Sequence, residues 1–183
     1  MSIICLDAGH GVETPGKRSP DGRLREYEFN RAIVARMKPV LEKMGHTVVV
    51  TCPNEKEVDL NVRCNIANKA KAEIFISVHA NAFGNDWNDS DGWEVLIRNK
   101  GGKSEKLADI LQQESKVLGL DNRGIKTRDD LAVLNGTHMP AVLIEFGFMT
   151  NKIEESKLLS GDFRNKAAAA TCKAIYRYFK EVR

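Results

Sequence analysis

Three residues of this chain share one kind of address. His10 follows the apolar run Ile3-Ile4-Cys5-Leu6 in Asp7-Ala8-Gly9-His10-Gly11, His79 follows Ile74-Phe75-Ile76-Ser77-Val78, and Glu145 follows Ala141-Val142-Leu143-Ile144. Each stands where a short buried strand would end. In an open parallel sheet the carboxyl ends of the strands line the ligand crevice. Two imidazoles and a carboxylate at one edge are donors for a divalent metal, Zn2+ first, because zinc takes nitrogen and carboxylate oxygen and a catalytic site keeps one position open. Small flanks (Gly9, Gly11, Ala80) leave room for an ion and a substrate. His10 and His79 supply two ligands, and Glu13, Glu26, Glu28 and Glu145 are open for the third. The spacing leans to Glu26, because a loop leaving the His10 strand end can return to a helix that begins beside it. Glu145 would then face the attacking water. Zinc brings the pKa of a bound water to about 7, and a carboxylate within reach can carry its proton to a leaving group. The expected chemistry is metal-assisted hydrolysis of an amide or ester carbonyl.

The elements that must position these groups alternate between strand and helix patterns, which predicts an α/β fold. Strands are expected at 2–7, 46–51, 73–79, 93–98, 131–134 and 141–145. Helices are expected at 28–44 with Phe29, Ile33, Met37, Val40, Leu41 and Met44 on one face, after Asp59 carrying Leu60, Ile66, Ala67 and Ala70, after Ser104 with Leu107, Ile110, Leu111, Val117 and Leu118 buried, and at 162–182. Gly45 is the expected stop of the first helix, and Pro39 predicts a bend within it. The outcome is a mostly parallel central sheet of about six strands, flanked by helices on both faces, in a single domain over 1–183.

Length and composition agree. The chain has 183 residues, 42% apolar and 29% charged, enough for one core. A formal charge of +3 is too mild to argue for a nucleic-acid partner. Cys5, Cys52, Cys64 and Cys172 form no CxxC pair, so they read as inert buried thiols rather than a zinc site. No signal peptide and no membrane-spanning run is visible, so the chain is expected to be made in the cytoplasm, as a monomer, whatever its target.

Several strings together resemble the zinc-dependent N-acetylmuramoyl-L-alanine amidases of the Amidase_3 type, which cut bacterial peptidoglycan. Asp7-Ala8-Gly9-His10-Gly11 is similar to their opening DxGHG, and Glu26-Tyr27-Glu28-Phe29-Asn30 to their ExxxN helix start. Leu60, Arg63, Ala67 and Asn68 are similar to their LxxRxxxAN helix, and Ser77-Val78-His79-Ala80-Asn81 to their SxHxN. Asn122-Arg123-Gly124-Ile125-Lys126 resembles their NRG turn, and Val133-Leu134 with Met139 to Phe148 resembles their last strand. The resemblance implies zinc on His10, Glu26 and His79, with Glu145 as acid and base. It implies cleavage of the amide between the lactyl group of N-acetylmuramic acid and L-alanine of the stem peptide, with release to the wall in phage lysis or autolysis. A zinc peptidase acting within the stem peptide and a non-catalytic wall-binding module are the competing readings.

Two departures stand out. The loop Gly11 to Pro20 lacks the commoner double-glycine and aspartate-proline form and is more like the versions in phage and prophage lysis enzymes. Asn135 stands where relatives often carry a basic residue. Asn81, Asn135 and His138 are candidate substrate contacts. Arg63 is expected to be a buried structural cation and His46 a surface residue. Trp87, Phe83, Arg123 and Lys126 are expected either to meet substrate or to anchor their loops.

Overall fold

The computed structural model describes residues 1–182. Its elements, in chain order, are β1 (Ile3–Ala8), α1 (Glu26–Lys43), β2 (Thr47–Val50), α2 (Leu60–Lys69), β3 (Ile74–Asn81), β4 (Trp93–Ile97), α3 (Lys103–Glu114), β5 (Asn122–Thr127), α4 (Ala132–Asn135), β6 (Ala141–Phe148), α5 (Lys152–Leu159) and α6 (Gly161–Glu181). The strands form one sheet in the order β2-β1-β3-β6-β4-β5. β1, β2, β3 and β6 run parallel, and β4 enters antiparallel to β6 with β5 parallel to β4. The carboxyl ends of β1, β3 and β6 therefore share one edge with the start of β4.

Side-chain alternation divides the strands between two cores. Ile4, Leu6, Ile74, Ile76, Val142, Ile144, Val95 and Ile97 pack against α1, α3 and α6. Cys5, Phe75, Leu143 and Leu96 face the other way, toward Cys64 and Ala67 of α2 and Val133 and Leu134 of α4. The same parity carries Asp7, Ser77, His79, Glu94 and Glu145 onto this second, thinner side.

Local signals explain most boundaries. α1 buries Phe29, Ile33, Met37 and Leu41 at four-residue spacing. It runs through Pro39 as one helix and stops at Gly45, whose φ of 88° favours glycine. Asp59 caps α2 by accepting from the N–H groups of Asn61 and Val62. All four cysteines are buried, and burial pushes the thiols of Cys5 and Cys172 up to about 12.

Several expectations need correction. Residues 131–134, expected as a strand, lead into the short helix α4. The fifth strand is β5 at Asn122–Thr127, where a turn was expected. The apolar triplet Ala132-Val133-Leu134 has too few residues to separate the two periods, and it packs under α2 as a helical turn. α3 starts after Gly102, and the Ser104 hydroxyl instead accepts from the Ala141 N–H at the start of β6. Val40, Met44, Leu60 and Val117 are exposed. Val40 and Met44 flank a groove that α1 forms with α6, beyond the reach of the sheet. His46 is half-buried, its ring stacked on Phe179 at 5.2 Å.

Candidate metal centre

β1 delivers His10 one residue past Gly9. The His10 backbone sits in the left-handed region at φ 61°, uncommon for a side-chain-bearing residue. Three contacts hold it there. The Gly9 N–H donates to the Val78 carbonyl at 3.0 Å. Buried Asn30 of α1 donates to the Gly9 carbonyl at 2.9 Å. Arg31 donates to the His10 carbonyl at 2.9 Å. Position 9 admits no side chain, because a Cβ there would lie 2.1 Å from the His79 ring.

β3 delivers His79, and the loop after β1 returns the chain to Glu26, the first residue of α1. His79 Nδ1 lies 2.9 Å from Glu26 Oε1, and His10 Nε2 lies 3.3 Å from Glu26 Oε2. The two imidazoles meet edge to face at 5.0 Å. One donor atom from each of His10, Glu26 and His79 lies within 4.8 Å of the others, and no other such group of three occurs among the described residues. Tetrahedral ligands about 2.1 Å from a zinc ion lie about 3.4 Å from one another, so this spacing suits a small divalent cation. Glu26 is buried and also accepts from the Ala80 N–H at 3.3 Å.

The electrostatics follow from burial and proximity. Burial holds the His10 ring well below its ordinary range, to about 4, so it stays neutral and able to donate a lone pair. Burial acts against charge on His79 too, but the Glu26 hydrogen bond and charge outweigh it and raise its pKa. Burial acts against the Glu26 carboxylate, and the two imidazoles overcome it, so its pKa is lowered.

Glu145 of β6 is the register partner of His79 on β3. Its Oε2 is buried and has no hydrogen-bond partner among the described residues. Burial pushes its carboxyl up to about 7. His79 opposes the rise, while Glu26 and Glu94 add to it. A half-buried carboxylate next to the donors, with an oxygen to spare, can move a proton near neutral pH.

The fate of the other candidates is mixed. Glu13 accepts from the Glu57 N–H at 2.9 Å, and Glu28 accepts from the Tyr27 hydroxyl at 3.1 Å, so neither joins the cluster. Asn81, at the end of β3, donates to Glu94 at 3.4 Å. Asn135 donates to the Asp129 carbonyl of its own loop. His138 is exposed before β6, where its N–H donates to Asn68. Ala141 to Glu145 spans about 13 Å of strand, which leaves His138 toward the opposite end of the sheet. Trp87 is half-buried under Lys152, and Phe83 is exposed.

Sequence reasoning missed Glu94. It pairs across β4 and β6 with Glu145, and its Oε2 accepts from Arg123 at 2.9 Å. The signal was available, since alternation in Trp93–Ile97 puts this acid on the face of Leu96. Arg63 is the buried cation expected, bonded to Asp7 at 3.0 Å, to Glu57 at 2.7 Å and to the carbonyls of Ala8 and Val58.

A His-Glu-His cluster at the carboxyl edge of a largely parallel sheet defines an α/β domain with a candidate metal site. Comparison with known proteins narrows the class. The family model described as N-acetylmuramoyl-L-alanine amidase matches residues 4–177, and the chain belongs to that family. It is 33% identical over 180 residues to the N-acetylmuramoyl-L-alanine amidase LytC of Bacillus subtilis, covering 97% of this chain and 35% of LytC. It is 33% identical over 178 residues to the endolysin of Bacillus phage SPP1, covering 94% of this chain and 64% of the endolysin. Among solved structures, the catalytic domain of the amidase CwlV from Bacillus (Paenibacillus) polymyxa superposes with a TM-score of 0.91 at 30% identity, over 98% of this chain and 99% of that one. The chain thus spans about a third of LytC and nearly all of an isolated catalytic domain.

Proposed function

We propose that this chain hydrolyses the amide bond between the lactyl group of N-acetylmuramic acid and L-alanine in peptidoglycan. Residues 1–183 would be the catalytic unit, with zinc on His10, Glu26 and His79. The observation that carries the reading is the convergence of these three donors beside Glu145, whose buried oxygen has no partner among the described residues, in a member of this family. Two imidazoles and one carboxylate match the preference of a catalytic zinc site. When bound, zinc would polarise the scissile carbonyl and make water a better nucleophile.

The rest of the work falls to the chain. Asn30 and Arg31 fix the turn that aims His10. Glu26 is locked by both imidazoles and the Ala80 N–H. Glu145 Oε2 takes the proton of the attacking water and returns it to the alanine nitrogen as the C–N bond breaks. The products are a lactyl carboxylate and a stem peptide with a free amine. Asn81, which donates to Glu94 at the end of β3, would orient the stem peptide. No described helix is long and apolar enough to cross a membrane. The chain would act on the wall as a monomer, without nucleic acid, in phage lysis or autolysis.

Mass analysis of digested peptidoglycan tests this directly. The expected products are stem peptides beginning at L-alanine, lost with chelator and restored by zinc. A cut between two amino acids would make the chain a peptidase, and an untouched wall with bound protein would make it a binding module.

A further inference from the structure

The loop between β1 and α1 carries the cations Lys17, Arg18 and Arg25. Lys17, Arg18 and Arg25 are exposed, and none forms an ion pair among the described residues. Elsewhere Arg23, Arg63, Arg123, Arg128 and Arg177 each hold a carboxylate. The three free cations line one concavity of about 320 Å³, together with Glu13 and Tyr27. Glu13 adds one carboxylate to the same wall, where it accepts from the Glu57 N–H at 2.9 Å, so three cations share the concavity with a single acid.

This concavity has a structured wall and adjoins the candidate metal centre. The Glu26 N–H donates to the Lys17 carbonyl at 2.9 Å. Arg18 and Arg25 face each other across an antiparallel backbone bridge. The Thr14 hydroxyl accepts from the Gly11 N–H at 2.9 Å, and the Val12 N–H donates to the Glu55 backbone carbonyl at 2.8 Å. Cations of one sign in a concave site raise the local concentration of anions, and guanidinium groups match the geometry of carboxylate and phosphate.

We propose that this cavity is a subsite for an oxyanion of the substrate, a stem-peptide carboxylate or a phosphodiester of a wall polymer, and that it sets which walls are cut. The proposal rests on the amidase reading above and adds a determinant of specificity to it.

The test uses the zinc-loaded full chain and a Lys17→Met/Arg18→Gln/Arg25→Gln variant. Two soluble muramyl peptides, identical except that the stem carboxylates are free or amidated, are compared by kcat/KM. Retention on purified walls is measured before and after their phosphate polymers are removed. A free-over-amidated ratio that falls about tenfold in the variant, mainly through KM, assigns the subsite to a carboxylate. An unchanged ratio with lost retention on phosphate-bearing walls assigns it to a phosphodiester. If neither changes while the wild-type chain cleaves both peptides, the subsite is wrong and the amidase reading stands. If the wild-type chain cleaves neither, both fall.

Discussion

Two polar clusters lie near the carboxyl edge of the sheet, and they are built differently. In one, Asp7 on β1 has every oxygen occupied: Oδ1 accepts from Arg63 at 3.0 Å and from the Thr51 hydroxyl, and Oδ2 accepts from Ser77 at 2.6 Å. Arg63 in turn is bonded on all sides and is 1% exposed. In the other, His10, Glu26 and His79 each bring one donor atom within 4.8 Å of the others, and Glu145 keeps a buried oxygen without a partner among the described residues. A closed network fixes structure. An open one, with clustered donor atoms, an unpartnered carboxyl oxygen and that carboxyl pushed up to about 7, is suited to bind and to move protons. Charge and burial alone do not separate the two; completeness of bonding does.

The sharpest way to test the contrast is Glu145→Gln. It should lower kcat on peptidoglycan about 10³-fold or more while leaving the melting temperature and bound zinc near wild type. A large drop in melting temperature would place Glu145 with the closed network. Arg63→Met should do the opposite. Removing one partner of a buried ion pair costs about 3–5 kcal/mol, readable in a urea titration, and activity should fall only as folded protein is lost. Gly9→Ala pushes a methyl into the His79 ring and should weaken zinc about tenfold or more by metal titration, with a smaller loss of stability.

The pH response gives a finer discrimination. Burial lifts Glu145 from its ordinary value of 4.5 to about 7, so the folded chain holds that proton more tightly than the unfolded chain. Its contribution to stability is fully present below about pH 4.5 and is lost as the pH rises through about 7. In chelator-treated protein, wild type should therefore lose stability relative to Glu145→Gln across that window, as followed by denaturant titration. A flat difference would show that Glu145 is solvated. The smallest effect belongs to Asp59→Ala, which removes the α2 cap and should cost about 1 kcal/mol without touching zinc affinity.

Much of this was legible in the chain itself. The strands bearing His79 and Glu145 and the one leading to His10 were readable because uninterrupted apolar runs mark strands buried on both faces, although β3 and β6 run on past these residues to Asn81 and Phe148 instead of ending there. The choice of Glu26 over Glu13 and Glu28 was harder, since it depends on which way a loop of some fifteen residues (Gly11 to Arg25) folds back. Ala132-Val133-Leu134 misled because a short apolar run fits either period, and its helical turn is selected by packing under Cys64 and Ala67. Asn122 to Thr127 misled in the other direction. Its two asparagine- and glycine-bearing positions look like a turn, yet pairing with β4 draws the segment into the sheet with a register shift between Trp93 and Val95. Glu94 was readable from the alternation of Trp93–Ile97, whereas Lys17 and His138 belong to tertiary placement, which spacing along the chain does not encode.

The four cysteines lead to a practical consequence. Their sulfurs lie inside the two cores, and a thiol that resists ionisation is a poor nucleophile toward oxidants and disulfides. The folded molecule should therefore tolerate air and the absence of reductant without cross-linking to its neighbours. A thiol reagent should label it only after denaturant has opened the core, which makes sulfhydryl accessibility a simple gauge of how intact a preparation is.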